Sequence, residues 1–207
     1  FQMEKRYIKS DGSIVWVHMT ISKYEDEENE NSHLVMVRDI TERKKAEEEV
    51  LYMASHDRLT GVYNRMSIEE KLSSLDKLCE FPLSVIILDV NGLKLINDAL
   101  GHLEGDNTLK RVTDAIIKVV GHKKCVGRMG GDEFMVVLAK TDKEKVKEVV
   151  DGIKAEVGKA EGGLASISIG YATKDQDCQQ ISDIIQIVDG EMYQDKLTSA
   201  NTSMKDL

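Results

Sequence analysis

The chain is predicted to be an α+β protein, layered, with helices packed around a mostly antiparallel sheet. From Asp57 onward, helix-like and strand-like segments alternate, the pattern of helices laid on a sheet. Leu83-Ser84-Val85-Ile86-Ile87-Leu88 is nearly continuous in apolar residues, as expected of a central strand buried on both faces. Gly130-Gly131 lies between β-formers, a hairpin signal.

In order, residues 5–23 alternate apolar and polar around the turn dipeptide Asp11-Gly12 and predict an antiparallel hairpin. An acidic loop over Glu25–Asn31 and a short strand over His33–Val37 follow. Three such strands make a poor independent core. Residues 42–55 form a connecting helix, with Thr41 or Asp39 as its N-cap. Ala46, Val50 and Met53 fall at coiled-coil spacing over about two heptads, which fits a dimerising signalling helix and equally a solvated connector. Beyond it the pattern predicts helix 66–78, strand 83–90, helix 108–120, the Gly130-Gly131 hairpin, helix 143–157, strand 164–172 and helix 181–197. Pro82 sits just before a strand, where it does no harm.

Composition narrows the function. At 207 residues and 41% hydrophobic the chain can bury one good core and part of a second. A net charge of −9 excludes a basic nucleic-acid surface but not nucleotide binding. Cys79, Cys125 and Cys178 are odd in number and far apart, so neither a disulfide framework nor a zinc site is expected, and buried reduced thiols in a cytoplasmic protein are. No apolar run reaches the roughly 20 residues that span a bilayer. The opening at Phe1 within strand-like sequence reads as a piece cut from a longer protein, so membrane contact is expected only through segments upstream.

The residues with chemical potential fall in two places. The apolar strand delivers Asp89 to its C-terminal end, and Asp132 and Glu133 follow the paired glycines. If strand and hairpin are neighbours these carboxylates converge, and a divalent cation relieves their repulsion. Gly130 and Gly131 leave room for a large ligand against the backbone, although a plain tight turn with solvated acids has the same sequence. Between the two places, Asn97 and Asp106 offer an amide and a carboxylate. The carboxylate can accept from guanine N1–H and the 2-amino group, and the amide can pair with N7 or O6. Capping and turning between helices is the other use of Asn97, Gly101 and Asp106.

Five separated motifs resemble those of the GGDEF domain, the catalytic module of diguanylate cyclases. They are Asp57-Arg58-Leu59-Thr60-Gly61 with Asn64-Arg65, the block from Asp89 to Asp106, Gly130 to Phe134, Ser168-Ile169-Gly170, and Met192-Tyr193 with Lys196. Upstream, Asp11-Gly12-Ser13, Trp16 and Asp39-Ile40-Thr41-Glu42-Arg43-Lys44 resemble the C-terminal half of a PAS sensor domain. With the other half of that domain missing, no sensory ligand is assigned. The resemblance divides the chain into 1–41 (PAS part), 42–55 (signalling linker helix) and 56–207 (GGDEF domain), the last with a βαββαβ nucleotidyl-cyclase-like core.

The resemblance implies one GTP per domain and a homodimer, formed through the linker helix and PAS part, in which each 3′-OH attacks the other α-phosphate to give c-di-GMP and pyrophosphate. It places Mg²⁺, two per active site with Mn²⁺ as a substitute, on Asp89, the Val90 carbonyl, Asp132 and Glu133. Asp132 and Glu133 are the implied catalytic pair, with Glu133 assisting the metal or deprotonating the 3′-OH. Asn97 and Asp106 match the guanine-reading positions, and Lys94 and Lys196 the terminal-phosphate contacts. Gly92 and Leu93 contribute backbone amides to phosphate, and Gly130 and Gly131 line the substrate. His102 is expected to support the fold. Asn91 stands where a second Asp is usual, and Ser199 and Ala200 where Gly and a phosphate-contacting Arg often stand, which weakens the triphosphate contacts. The Arg-x-x-Asp of the family's product-inhibition site is replaced by Gly121-His122-Lys123-Lys124, so high-affinity feedback by c-di-GMP is expected to be absent. A catalytically degenerate GGDEF domain, serving as a GTP sensor or scaffold, is the alternative.

Overall fold

A computed structural model describes residues 1–26, 29–122, 125–161, 165–176 and 179–203. The chain divides into two compact units, Phe1–Ala54 and Ser55–Leu207. The first holds an antiparallel sheet of β1 (Gln2–Ile8), β2 (Ile14–Asp26) and β3 (Asn29–Asp39), followed by helix α1 (Thr41–Ser55). The strands run further than the sequence pattern suggests. β2 reaches Asp26 and β3 starts at Asn29, so strand pairing replaces most of the acidic loop expected over Glu25–Asn31, whose residues 27 and 28 lie outside the described residues. Asp39 caps α1, its Oδ1 accepting from Thr41 N at 2.8 Å. No residue of α1 is buried.

The second unit runs β4 (Tyr63–Asn64), α2 (Arg65–Lys77), β5 (Leu83–Asn91), α3 (Leu93–Leu100), α4 (His102–Val120), β6 (Val126–Gly130), β7 (Glu133–Leu138), α5 (Lys143–Glu161), β8 (Ser166–Lys174) and α6 (Ile181–Ser203). Its five strands lie in the order β4-β6-β7-β5-β8, antiparallel throughout except for the short parallel β4–β6 pair. β5 is central, and every residue from Leu83 to Val90 is buried. Its side chains alternate between two apolar layers. Ile86, Leu88 and Val90 pack with Val112 and Ile116 of α4 and Val150 and Ile153 of α5. Leu83, Val85 and Ile87 pack with Ile68 and Leu72 of α2 and Ile184 and Val188 of α6.

Four expectations change. Residues 93–100 are helical, because Leu93, Ile96 and Leu100 recur at helical spacing behind Gly92, which takes the left-handed φ of 76° as N-cap. Helix α4 begins at His102 rather than Thr108, and His102 itself is exposed. Cys125 is buried, but Cys79 is exposed and Cys178 lies outside the described residues. The strand expected from Leu164 starts at Ser166, with Leu164 outside the described residues.

Gly170 fixes the distance between β8 and α6. A Cβ there would lie 1.9 Å from the Val188 carbonyl oxygen and 2.5 Å from Met192 N, both helix backbone atoms that cannot turn aside. Gly170→Ala is expected to cost about 1–3 kcal/mol, the range for overpacking a filled interior, as a lower urea midpoint with an unchanged slope. An unaltered midpoint contradicts this packing.

Candidate functional site

The antiparallel register of β5 and β7 builds the first part of the site. It places Asp89 directly opposite Glu133, on the face of the sheet that carries α6, since Asp89 follows Ile87 by two residues. Glu133 is therefore the first residue of a strand, and the two turn residues of the hairpin are Gly131 and Asp132, not the two glycines. Gly131 takes φ 54°, a conformation glycine enters without strain. The Asp132 carbonyl accepts from Val90 N at 3.0 Å, which ties the turn to the end of β5.

Asp89 is 5% exposed, and a buried carboxylate requires a partner. Its partner is Lys196 of α6, whose Nζ donates to Asp89 Oδ1 at 2.8 Å. That hydrogen bond outweighs partial burial and, with the negative field of Asp89, Asp132 and Glu133, holds Lys196 above the ordinary 10.5. The ammonium is thus a stand-in cation among three carboxylates. An all-oxygen set with this field suits a hard divalent ion. Among the described residues, however, no three acidic, His or Cys side chains are drawn together closely enough to enclose a metal. Beyond Asp89, Asn91 Nδ2 donates to Ser166 Oγ (3.1 Å) and Ser168 Oγ (2.9 Å), and the Ser168 hydroxyl donates to Asn91 Oδ1 (3.0 Å). Asn91 is spent on bracing β5 against β8.

The second part lies on α3 and α4. Gly92 provides no side-chain cap for α3, so the amides of the first turn, beginning at Leu93, are open to an anion. Lys94 is exposed on this turn. Asn97, half-buried on α3, and Asp106, exposed on α4, are held near each other by the close approach of Asn97 to Gly105. The structure thus bonds Lys196 to Asp89, sets Asp89 opposite Glu133, links Asp132 to Val90 through the backbone, and groups Asn97 with Asp106. Of the replaced product-inhibition segment, Lys123 and Lys124 lie outside the described residues, as does the side chain of Ala200.

A further network carries no obvious sequence signal. The guanidinium of Arg128 donates through Nη1 to Asp57 Oδ1 at 3.1 Å and through Nε and Nη2 to the Gly131 carbonyl at 3.0 and 2.6 Å. Asp57 also accepts from Thr60 N and Thr60 Oγ1, at 2.9 and 2.7 Å. Arg128 thereby anchors the turn that carries Asp132. The Arg128 position could have been suspected from its place two residues before the glycine pair, but its partner lies 71 positions away.

The GGDEF family, described as "Diguanylate cyclase, GGDEF domain", matches residues 54–202, and the chain belongs to it. It is 30% identical over 174 residues to the diguanylate cyclase DgcM of Escherichia coli K12, an alignment covering 81% of this chain and 42% of DgcM. It is equally 30% identical, over 162 residues, to the cyclic di-GMP phosphodiesterase PdeR of the same organism, covering 75% of this chain and 24% of PdeR. The chain therefore spans less than half of either relative. The coiled coil and GGDEF domain of DgcB from Caulobacter crescentus, solved in complex with c-di-GMP, superposes with a TM-score of 0.67 over 77% of this chain and 89% of that one, at 21% identity. This likeness extends to the fold. No helix among the described residues is long and apolar enough to cross a membrane.

Burial works against the charge of Asp57, yet the Thr60 hydrogen bonds and the Arg128 guanidinium prevail and hold it below the ordinary 3.8. A depressed carboxylate contributes stability that is complete above its unfolded value and is lost as pH falls through the folded one. Asp57→Asn is therefore expected to cost about 1.5–3 kcal/mol near neutrality, measured by chemical denaturation. The difference from wild type should shrink as the pH drops below that ordinary value. A difference independent of pH contradicts the assignment.

Proposed function

We propose that this chain is a diguanylate cyclase that condenses two GTP into c-di-GMP and two pyrophosphates, each domain supplying half of the catalytic centre. The observation that carries the reading is the β5–β7 register, which sets Asp89 against Glu133 beneath the Lys196 ammonium. It supports a site that meets both a cation and a polyphosphate.

In this reading Asp106 accepts from guanine N1–H and the 2-amino group, and the Asn97 amide meets N7 or O6. Lys94, Lys196 and the amides at Gly92 and Leu93 hold the terminal phosphates, with Gly130 and Gly131 leaving space for the substrate. Asp89, the Val90 carbonyl, Asp132 and Glu133 would hold Mg²⁺, or Mn²⁺ in its place, which supplies charge neutralisation for phosphoryl transfer. Glu133 takes the proton of a 3′-OH. The freed oxygen forms a bond to the α-phosphorus of the facing GTP, and the bond to pyrophosphate breaks. Two such transfers close the ring.

The sheet of β1–β3 is read as the C-terminal part of a PAS sensor domain, and α1 as a signalling helix that pairs two chains. Val50 and Met53 of α1 are 65% and 41% exposed, which suits a seam between helices. A sensor that changes how two domains meet can control turnover without altering either half-site. The second reading, a degenerate GTP-binding sensor or scaffold, draws on two observations. One 30% identical relative is named a phosphodiesterase, and Ser199 and Ala200 stand where the family resemblance has Gly and a phosphate-contacting Arg.

Incubation with GTP and Mg²⁺ across a range of protein concentrations, with products identified by mass, tests the proposal. The expected result is c-di-GMP formed at a rate rising more than linearly with protein. Chelation of the metal should stop it, and Asp132→Asn should reduce it to background with an unchanged melting temperature. GTP bound without any dinucleotide at high protein concentration favours the sensor reading, and undiminished product from Asp132→Asn removes that residue from the chemistry.

A further inference from the structure

Gly105 breaks a local rule. It lies inside α4, where alanine is the better helix former, and its φ is not one that only glycine adopts. Positions that violate propensity without a local reason are expected at functional sites. The reason here is a neighbour on α3. A Cβ built at Gly105 would lie 2.0 Å from Asn97 Oδ1, 2.9 Å from its Cγ and 3.3 Å from its Nδ2. The Asn97 carboxamide occupies the notch where an alanine methyl would stand.

Among the described residues the Asn97 side chain makes no hydrogen bond to protein, and neither does the carboxylate of Asp106. Their donors and acceptors are left for a ligand. Packing into the notch, rather than hydrogen bonding, fixes where the Asn97 amide points. Gly105 immediately precedes Asp106, so the Asn97 amide packs against the residue next to the carboxylate.

We propose that Gly105 is the positioning residue of the base-reading pair. By omitting a side chain it seats the Asn97 amide against α4 beside Asp106, so that both groups address the edge of one planar purine that offers adjacent donors and acceptors. The inference rests on the guanine reading given above and adds to it the element that sets its geometry.

Gly105→Ala tests it, because the atoms in the way are the end of a flexible side chain and the fold can accommodate the methyl by turning Asn97 aside. The melting temperature should hold or rise, since alanine favours the helix. In the free protein the Asn97 side-chain amide resonances should move. Affinity for 3′-deoxy-GTP, which cannot cyclise, should fall about tenfold, the weight of one hydrogen bond. The same substitution made in Asn97→Ala should change affinity less than about twofold, because coupled residues are not additive.

An equal loss in both backgrounds, or unmoved Asn97 resonances, overturns the inference. So does unchanged affinity in Gly105→Ala when Asn97→Ala weakens binding, and in that case the guanine reading survives. Failure of the wild-type chain to bind the nucleotide removes the guanine reading and this inference with it.

Discussion

The register between β5 and β7 is the constraint on which the rest of the second unit depends. β5 is apolar on both faces, and its odd and even residues pack against different helix pairs. A slip of one residue would exchange those faces. It would also carry Asp89 to the opposite side of the sheet, away from Lys196 and from Glu133. The core therefore sets the placement of the first acidic group. The hydrogen bond from Val90 N to the Asp132 carbonyl then fixes the turn to the same strand, so the carboxylates of strand and hairpin inherit one geometry from packing that lies several residues away.

Helix α6 links that geometry to the edge of the sheet. β8 is an outer strand, and an outer strand exposes amides that invite unwanted pairing. Here Ile169 N donates to Asp195 at 2.9 Å and Tyr171 N to Glu191 at 3.2 Å, acids spaced one helical turn apart. Gly170 lies between those two amides and lets the helix come close enough for both bonds. Lys196 follows Asp195 directly, so the helix that covers the edge also delivers the ammonium to Asp89. Edge protection and site assembly are one act of packing.

This explains which parts were legible in the sequence. The buried strand, the hairpin and the long helices announce themselves through hydrophobic period and glycine placement, although α4 begins and α6 ends six residues beyond the expected bounds. The family motifs singled out Asp89, Asn97, Asp106, Asp132, Glu133 and Lys196, and the meeting of Asp89 with Glu133 required only that strand and hairpin be neighbours. What could not be read depends on contacts distant in the chain. Helix α3 spans only eight residues behind a glycine turn, so its apolar spacing covers too few turns to stand out from the polar residues around it. Glu133 belongs to a strand rather than a turn because Asp89 pairs with it. Arg128 finds Asp57, and Asn91 turns to Ser166 and Ser168, only after the sheet has formed. His102 and Cys79 are exposed because no element covers them, which their identity did not reveal.

Ion pairing follows the same logic. Most pairs in the second unit, such as Arg65–Glu69 and Lys140–Glu80, include an exposed side chain, and such pairs contribute little. Among the described residues two pairs include a buried partner, Lys174–Asp76 and Lys196–Asp89, and a third, Arg128–Asp57, joins two half-buried side chains. Removing one member of a buried pair leaves an uncompensated charge, while the intact pair adds little net stability against an apolar replacement. Buried pairs are therefore poor as general stabilisers and useful where a polar group must be held in one place. Two of the three hold the signature turn and the end of β5. The desolvation cost is concentrated where a loosely held turn would blunt the site, and the apolar layers on either side of β5 supply the stability that lets the chain carry it.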